Sequence, residues 1–314
     1  MRKKIFLYSL LILLSGIIYA MTGLSFVFLI SGVCLAASVA NGYFVRPLIF
    51  SAIAITVCTY AGDDCGFSFL LGGLLPGAVI GTGFRKKLSL SVLCVSGGMC
   101  FILKWVYLFR SYYIAHGTNM FEDASNEMLA LMKSNLSSAL ELSGLAADEN
   151  TVNTVSTMLD AITKITNLIV PAVLIILSCG AAFIIIMIAK NIVYKNRTDC
   201  HIPSFSKLYV PGSLMPALLI SLLGLLAKER VAYFFANILL VIFVYISVCG
   251  LSVIDFYFRN KVGSSAARVI LYTVIGTALS MMLPQLLYMG LFIAGISDVL
   301  FDFRHIRPHK HTEN

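Results

Sequence analysis

The sequence predicts an all-α fold, a polytopic transmembrane helical bundle, and three observations carry that expectation. Only 12% of the 314 residues are charged, about half the share of an average soluble domain, which is roughly 25%. The 59% that are hydrophobic gather into runs long enough, at about 20 residues, for helices to cross a ~30 Å hydrocarbon core. The basic residues concentrate in alternate short connections between those runs, the signature of cytoplasmic loops. Period-2 alternation is weak, which argues against a barrel. Backbone groups in lipid must bond internally, which favours helices.

Taken in order, apolar runs occupy residues 5–20, 23–41, 46–61, 66–84, 88–109, 165–190, 209–227, 231–258 and 268–301. The first begins "MRKKIFLYSLLILLSGIIYA", which imitates a secretory signal, but a second apolar run follows directly and an uncleaved signal-anchor is expected. With the N-terminus inside, Arg2, Lys3, Lys4, Arg46, Arg85, Lys86, Lys87, Lys190, Lys195, Arg197, Lys207, Arg259, Lys261 and Arg268 all fall on the cytoplasmic side. Asp63, Asp64 and the acidic segment with Glu122, Asp123, Glu127, Glu141, Asp148, Glu149 and Asp160 fall outside; Lys228 and Arg230 are exceptions. The final run would be about 50 Å long as one helix, too long for a single crossing with modest tilt. A hairpin broken near Pro284 is expected, because proline lacks an amide hydrogen and clashes with the preceding turn. That gives ten spans; a single kinked helix would give nine.

Two decamers bear on this choice. "GLSVIDFYFR" (250–259) and "GISDVLFDFR" (295–304) share Gly, Ser, Phe, Phe and Arg in register. Each ends a span with interfacial aromatics and an arginine, so both ends are expected on the cytoplasmic face. The chain between them must then cross an even number of times. The expected organisation is a membrane bundle of about five spans over 1–109, extracytoplasmic amphipathic helices over 110–164, a second bundle of four or five spans over 165–304, and a cytoplasmic tail over 305–314. Within 110–164, Met128, Leu131, Met132, Leu136 and Leu140 form one helical apolar stripe, and Val152, Val155, Leu159 and Ile162 form another that leads into the span beginning near Ile165.

Two sets of residues are candidates for function. Gly32, Ala36 and Ala40, and Gly73, Gly77 and Gly81, recur at four-residue intervals. Such stripes let helix backbones approach closely in lipid, either within the chain or against a partner membrane protein. Ionisable residues in or beside spans form the second set: Asp255 with Arg259, Asp298 with Asp302 and Arg304, and Lys104 beside Trp105. They are candidates for helix anchoring or for binding a substrate or ion. Lys104 has room to snorkel outward past Tyr107.

Other classes find little support. The net charge of +8 follows from the loop lysines and arginines, so no nucleic-acid partner is expected. Eight cysteines show no CxxC spacing and read as small core residues. His305, His309 and His311 sit in the tail "RHIRPHKH" without fixed geometry, so no metal site is expected. No P-loop, HExxH, GxSxG or Rossmann GxGxxG motif occurs, so neither an enzyme nor a bound cofactor is expected.

The segments "IPSFSKLYVPGSLMP", "CGLSVIDFYFRNK" and "GISDVLFDFR", with "LLPGAVIGTGFRKK" in the N-terminal half, resemble the YybS-like family of multi-pass membrane proteins of Gram-positive bacteria. Pro203, Phe205, Pro211, Gly250, Ser252, Gly295, Asp298, Phe303 and Arg304 carry the resemblance, which covers most of the chain. The arrangement of glycine-rich spans is also similar to that of the substrate-binding subunits of energy-coupling-factor vitamin transporters, although this chain is longer and has more than six spans. That similarity implies a cell-membrane protein that binds a small molecule and docks a coupling membrane protein through its small-residue stripes. The alternative is a membrane scaffold associated with the cell envelope or sporulation, without transport.

Overall fold

Residues 2–142, 149–194, 200–259, 261–262, 264–282 and 284–306 are described in a computed structural model, with no strand among them. The fold is an all-α bundle of the polytopic membrane class. Among the described residues, five helical stretches are long and apolar enough to cross a membrane: Lys4–Thr22, Asp64–Arg85, Leu90–His116, Leu168–Val193 and Arg230–Phe258. Four shorter apolar helices accompany them: Val27–Ala40, Val45–Ala61, Leu214–Gly224 and Gln285–Phe301. The chain divides into two units, Met1–Arg197 and Thr198–Asn314.

The first unit contains α1 (Arg2–Thr22), α2 (Val27–Ala40), α3 (Val45–Ala61), α4 (Asp63–Phe69), α5 (Leu75–Arg85), α6 (Leu90–His116), α7 (Met120–Leu142) and α8 (Glu149–Val193). A π-helical turn, Leu70–Leu74, joins α4 to α5, so the three run on as one crossing. Pro76 explains the turn. Its ring would press on the carbonyl four residues back, at Gly72, and it donates no hydrogen bond, so the widened turn relieves the clash. The Leu75 amide accordingly donates to the Leu70 carbonyl, five residues back.

In lipid there is no hydrophobic drive between helices, so close van der Waals contact must hold them together. The two small-residue stripes supply it by meeting each other. A Cβ on Gly77 would lie 2.6 Å from the Gly32 carbonyl oxygen, and one on Gly81 would lie 2.8 Å from that of Ala36. Gly32 in turn leaves room for Ile185 of α8. Gly32 and Ala36 are buried, and Ala40 is half-buried at the end of α2. The α2–α5 contact is thus backbone against backbone, and Gly77→Val is expected to lower stability by roughly 1–3 kcal/mol through overpacking. Gly180→Ala in α8, where an added Cβ meets nothing within 4 Å, is the matched control, expected to leave the melting temperature in detergent unchanged.

Beside this contact, α1 packs on α2 and α3, and α6 packs on α8. Cys58 Sγ donates to the Gly16 carbonyl at 3.2 Å, tying α3 to α1; Cys34, Cys58 and Cys100 are buried free thiols, as small core residues should be. The second apolar stripe of 110–164 leads directly into a span, since α8 is one helix of 45 residues. On α7, Leu131 and Met132 are exposed; the side chains of Met128, Leu136, Leu140, Val152, Val155, Leu159 and Ile162 lie outside the described residues. His309 and His311 also lie outside them.

The second unit contains a short 3-10 turn, Phe205–Lys207, and then α9 (Leu214–Gly224), α10 (Glu229–Phe258), α11 (Ser265–Met282) and α12 (Pro284–Phe301). The run at 268–301 is therefore two helices, with Pro284 as the first residue of the second. Proline is well suited there, because the first amides of a helix have no intrahelical acceptor. Val210, Leu218, Ile242, Ile246, Cys249 and Val299 form the core of this unit.

The two similar decamers pack on each other. The rings of Phe243 and Phe292 stack at 4.7 Å. Next, Gly250 and Gly295 meet at the helix crossing, where a Cβ on Gly250 would strike the Leu291 carbonyl oxygen and one on Gly295 that of Ile246. Ser252 finally reaches Arg304. Positions advance together along both helices, so α10 and α12 run parallel and end on the same side. The run between the decamers is thus a pair of helices, α11 and α12, and not one kinked helix.

Candidate functional site

Two of the charged candidates of the second unit, Asp298 and Arg304, form a buried ion pair. Arg304 is 5% exposed and Asp298 3%. The guanidinium engages the carboxylate with two bonds, Nε to Oδ1 at 3.1 Å and Nη2 to Oδ2 at 2.7 Å. Its remaining N–H groups donate to the Ser206 carbonyl at 2.9 Å, the Ser252 hydroxyl at 2.8 Å and the Leu208 carbonyl at 2.7 Å. All five donors of the arginine are used. Ser252 Oγ donates in its turn to the Phe205 carbonyl at 2.7 Å, with the Leu208 carbonyl at 3.1 Å.

Local sequence explains how these groups come together. Residues 208–213 lie between the 3-10 turn and α9, with Pro211 among them, and backbone outside a helix offers carbonyls to other donors. Past α12, Asp302 and His305 take positive φ values of 44° and 48°, which turn the chain back on itself and bring Arg304 against α10. The other candidates lie around this pair. Asp255 is buried and accepts the Tyr272 hydroxyl of α11 at 3.0 Å, and Arg259 at the end of α10 is exposed. Asp302 Oδ1 is buried without a hydrogen-bond partner among the described residues. Ser206, Leu208 and Tyr272 were not singled out by the sequence; Ser252 was, through the resemblance and as the serine shared by the two decamers, but with no partner assigned to it. A buried arginine with every donor satisfied is chemically quiet: it fastens α10, α12 and the preceding loop together.

Lys104, in the first unit, is different. It is 5% exposed and has neither a hydrogen bond nor an ion pair among the described residues. Its ammonium lies 4.2 Å from the centre of the Phe28 ring and 5.1 Å from that of Trp105. The stem passes the π-helical turn, where a Cβ on Gly72 would lie 3.0 Å from Lys104 Cδ and 2.9 Å from the Phe28 ring. Tyr19 and Phe69 complete an aromatic cluster, with ring centres 4.6 Å and 6.2 Å from Phe28. Ser68, one turn before Gly72, is buried beside the Tyr19 hydroxyl.

The direction of this lysine departs from the snorkelling expectation. Tyr107 and Ser111, farther along α6, donate to Asp64 at 2.7 Å and 2.6 Å, which fixes the polar end of the unit. Gly72 lies eight residues deeper than Asp64, or about 12 Å. Side chains on a helix tilt toward its N-terminus, which for α6 is away from Asp64, so the Lys104 stem enters the bundle. Phe28 and Gly72 come to it from distant parts of the chain and carry no local signal. Among the described residues no group of three metal-ligating side chains occurs.

No curated protein and no solved structure matches the chain. Residues 6–299 match the family described as "Predicted membrane protein (DUF2232)". With nearly the whole chain covered, from the first span into the last turn of α12, the protein belongs to that family of membrane proteins.

Proposed function

We propose that the protein is a substrate-binding subunit of a transport system in the cell membrane, similar in kind to the YybS-like proteins and to the substrate-binding subunits of energy-coupling-factor transporters. In this reading the N-terminus faces the cytoplasm and the Asp64 end of the first unit faces outward. The protein holds a small molecule and performs no chemistry on it. The observation that carries the proposal is Lys104, a buried cation without a counter-charge, beside a helix that departs from α geometry. Intramembrane charges are costly and are retained chiefly where they act, and interrupted helices border the binding sites of many transporters. In the second unit Arg304 and Asp298 satisfy each other, which favours the first unit as the place for a ligand. Because the stripes at Gly32 and Gly73 are occupied within the chain, a coupling protein would dock on another face.

A small molecule should therefore raise the melting temperature of the purified protein, and it should co-purify in stoichiometric amount when the protein is extracted gently from its host. No stabilisation across a broad vitamin and metabolite panel, together with unchanged uptake on gene deletion, would remove the proposal. A second reading, a membrane scaffold for the cell envelope, is favoured by one feature. The part of α8 before Leu168 extends 19 residues beyond the span Leu168–Val193, about 28 Å at 1.5 Å per residue, with Met158 exposed. Recovery of envelope proteins with no small molecule would favour it.

A further inference from the structure

We infer that the ligand of the first unit is a small monocarboxylate with an apolar, preferably flat, body, and that Lys104 binds its carboxylate; the inference rests on the substrate-binding reading above. Lys104 as a residue is more than nine-tenths buried, and its ammonium lies beside two ring faces. Ring faces attract a cation but leave its three N–H donors without acceptors. An uncompensated buried charge is destabilising, so the arrangement is complete only when an anion arrives. One lysine offers one positive charge, which matches a carboxylate better than a doubly charged phosphate. Tyr19, Phe28 and Phe69 are the apolar rings of the core beside Lys104, and Gly72, with no side chain, leaves room for the lysine stem and the Phe28 ring.

Sequence spacing could not have suggested this cluster, because its members come from α1, α2, α4, the π-helical turn and α6. The alternative for Lys104 is purely mechanical: a pin holding α6 to α2 through the Phe28 ring. The two roles differ in what removal of the charge does. A pin is missed when it is removed, whereas a counter-charge waiting for its anion is a burden to the empty protein.

The experiment uses the full chain in nanodiscs and compares melting with carboxylates and their uncharged amides: benzoate with benzamide, nicotinate with nicotinamide, hexanoate with hexanamide, and oleate with oleamide as the membrane-borne pair. Wild type, Lys104→Met and Lys104→Arg are tested. The expected result is stabilisation by a soluble carboxylate beyond its amide, retained in part by Lys104→Arg. Lys104→Met should bind that acid roughly ten- to a hundredfold more weakly, the loss of a hydrogen bond to a charged group. Lys104→Met without ligand should melt at or above the wild-type temperature. Amides that stabilise as well as their acids, with no dependence on Lys104, would overturn the inference while leaving substrate binding intact. A Lys104-dependent response to oleate alone would keep the anion site and overturn the reading of a soluble substrate. No charged member exceeding its amide, or a Lys104→Met protein that melts well below wild type, would overturn the inference by making the lysine a structural pin.

Discussion

Arg304→Ala is expected to remove most of the folded protein. The substitution leaves Asp298 buried without its cation and takes a donor from the carbonyls of Ser206 and Leu208. Breaking a buried pair by removing one partner costs about 3–5 kcal/mol, a large part of the roughly 5–15 kcal/mol that holds a typical protein folded. Fluorescence-detected size-exclusion of a tagged variant should show loss of the monodisperse peak. Arg304→Lys should fall between the two, because an ammonium cannot reproduce the two-pronged contact with the carboxylate or supply five donors. Removing both charges with Arg304→Met and Asp298→Leu should be milder than Arg304→Ala alone, since no charge is then left unpaired. If Arg304→Ala kept a normal peak and melting temperature, the five-bond network would not be what fastens the end of α12.

Gly250→Val should be comparably severe, for a steric reason. At this crossing the backbones touch, and the added Cβ would overlap the Leu291 carbonyl oxygen, which belongs to backbone and cannot rotate away. Overpacking costs about 1–3 kcal/mol where side chains give way; here a whole helix must move, so the upper end or more is expected. Even Gly250→Ala should lower the melting temperature. Gly290→Ala on α12, where nothing lies within 4 Å of an added Cβ, should do no harm, and the better helix propensity of alanine is worth up to about 1 kcal/mol. Equal melting of Gly250→Ala and Gly290→Ala would contradict the close crossing.

The fold class was largely legible in the sequence because lipid imposes a simple rule: length and apolarity mark a span. The likeness of the two decamers was legible as topology, and the structure adds a physical reason for their shared glycines, which meet at one crossing. The stripes were legible as small-residue faces, but their destination was not. Whether Gly77 opposes Gly32 or another protein is a matter of three-dimensional arrangement and leaves no mark on spacing. The same limit governed the charges. Asp298 and Arg304 are six residues apart, so their pairing could be foreseen, whereas the carbonyls that complete the arginine come from residues about a hundred positions away. For Lys104 the sequence showed a charge in a span and nothing of its surroundings, because Phe28 and Gly72 reach it only through the packing of α2 and the π-helical turn on α6.

Charge in the second unit holds the fold, and charge in the first is kept for a ligand: that division is tested most directly by melting Arg304→Ala and Lys104→Met side by side in the same nanodiscs without ligand. The expected result is a collapse of folded yield for Arg304→Ala and a Lys104→Met protein that melts at or above the wild-type temperature. A Lys104→Met protein that loses as much stability as Arg304→Ala would contradict it, since both charges would then be structural.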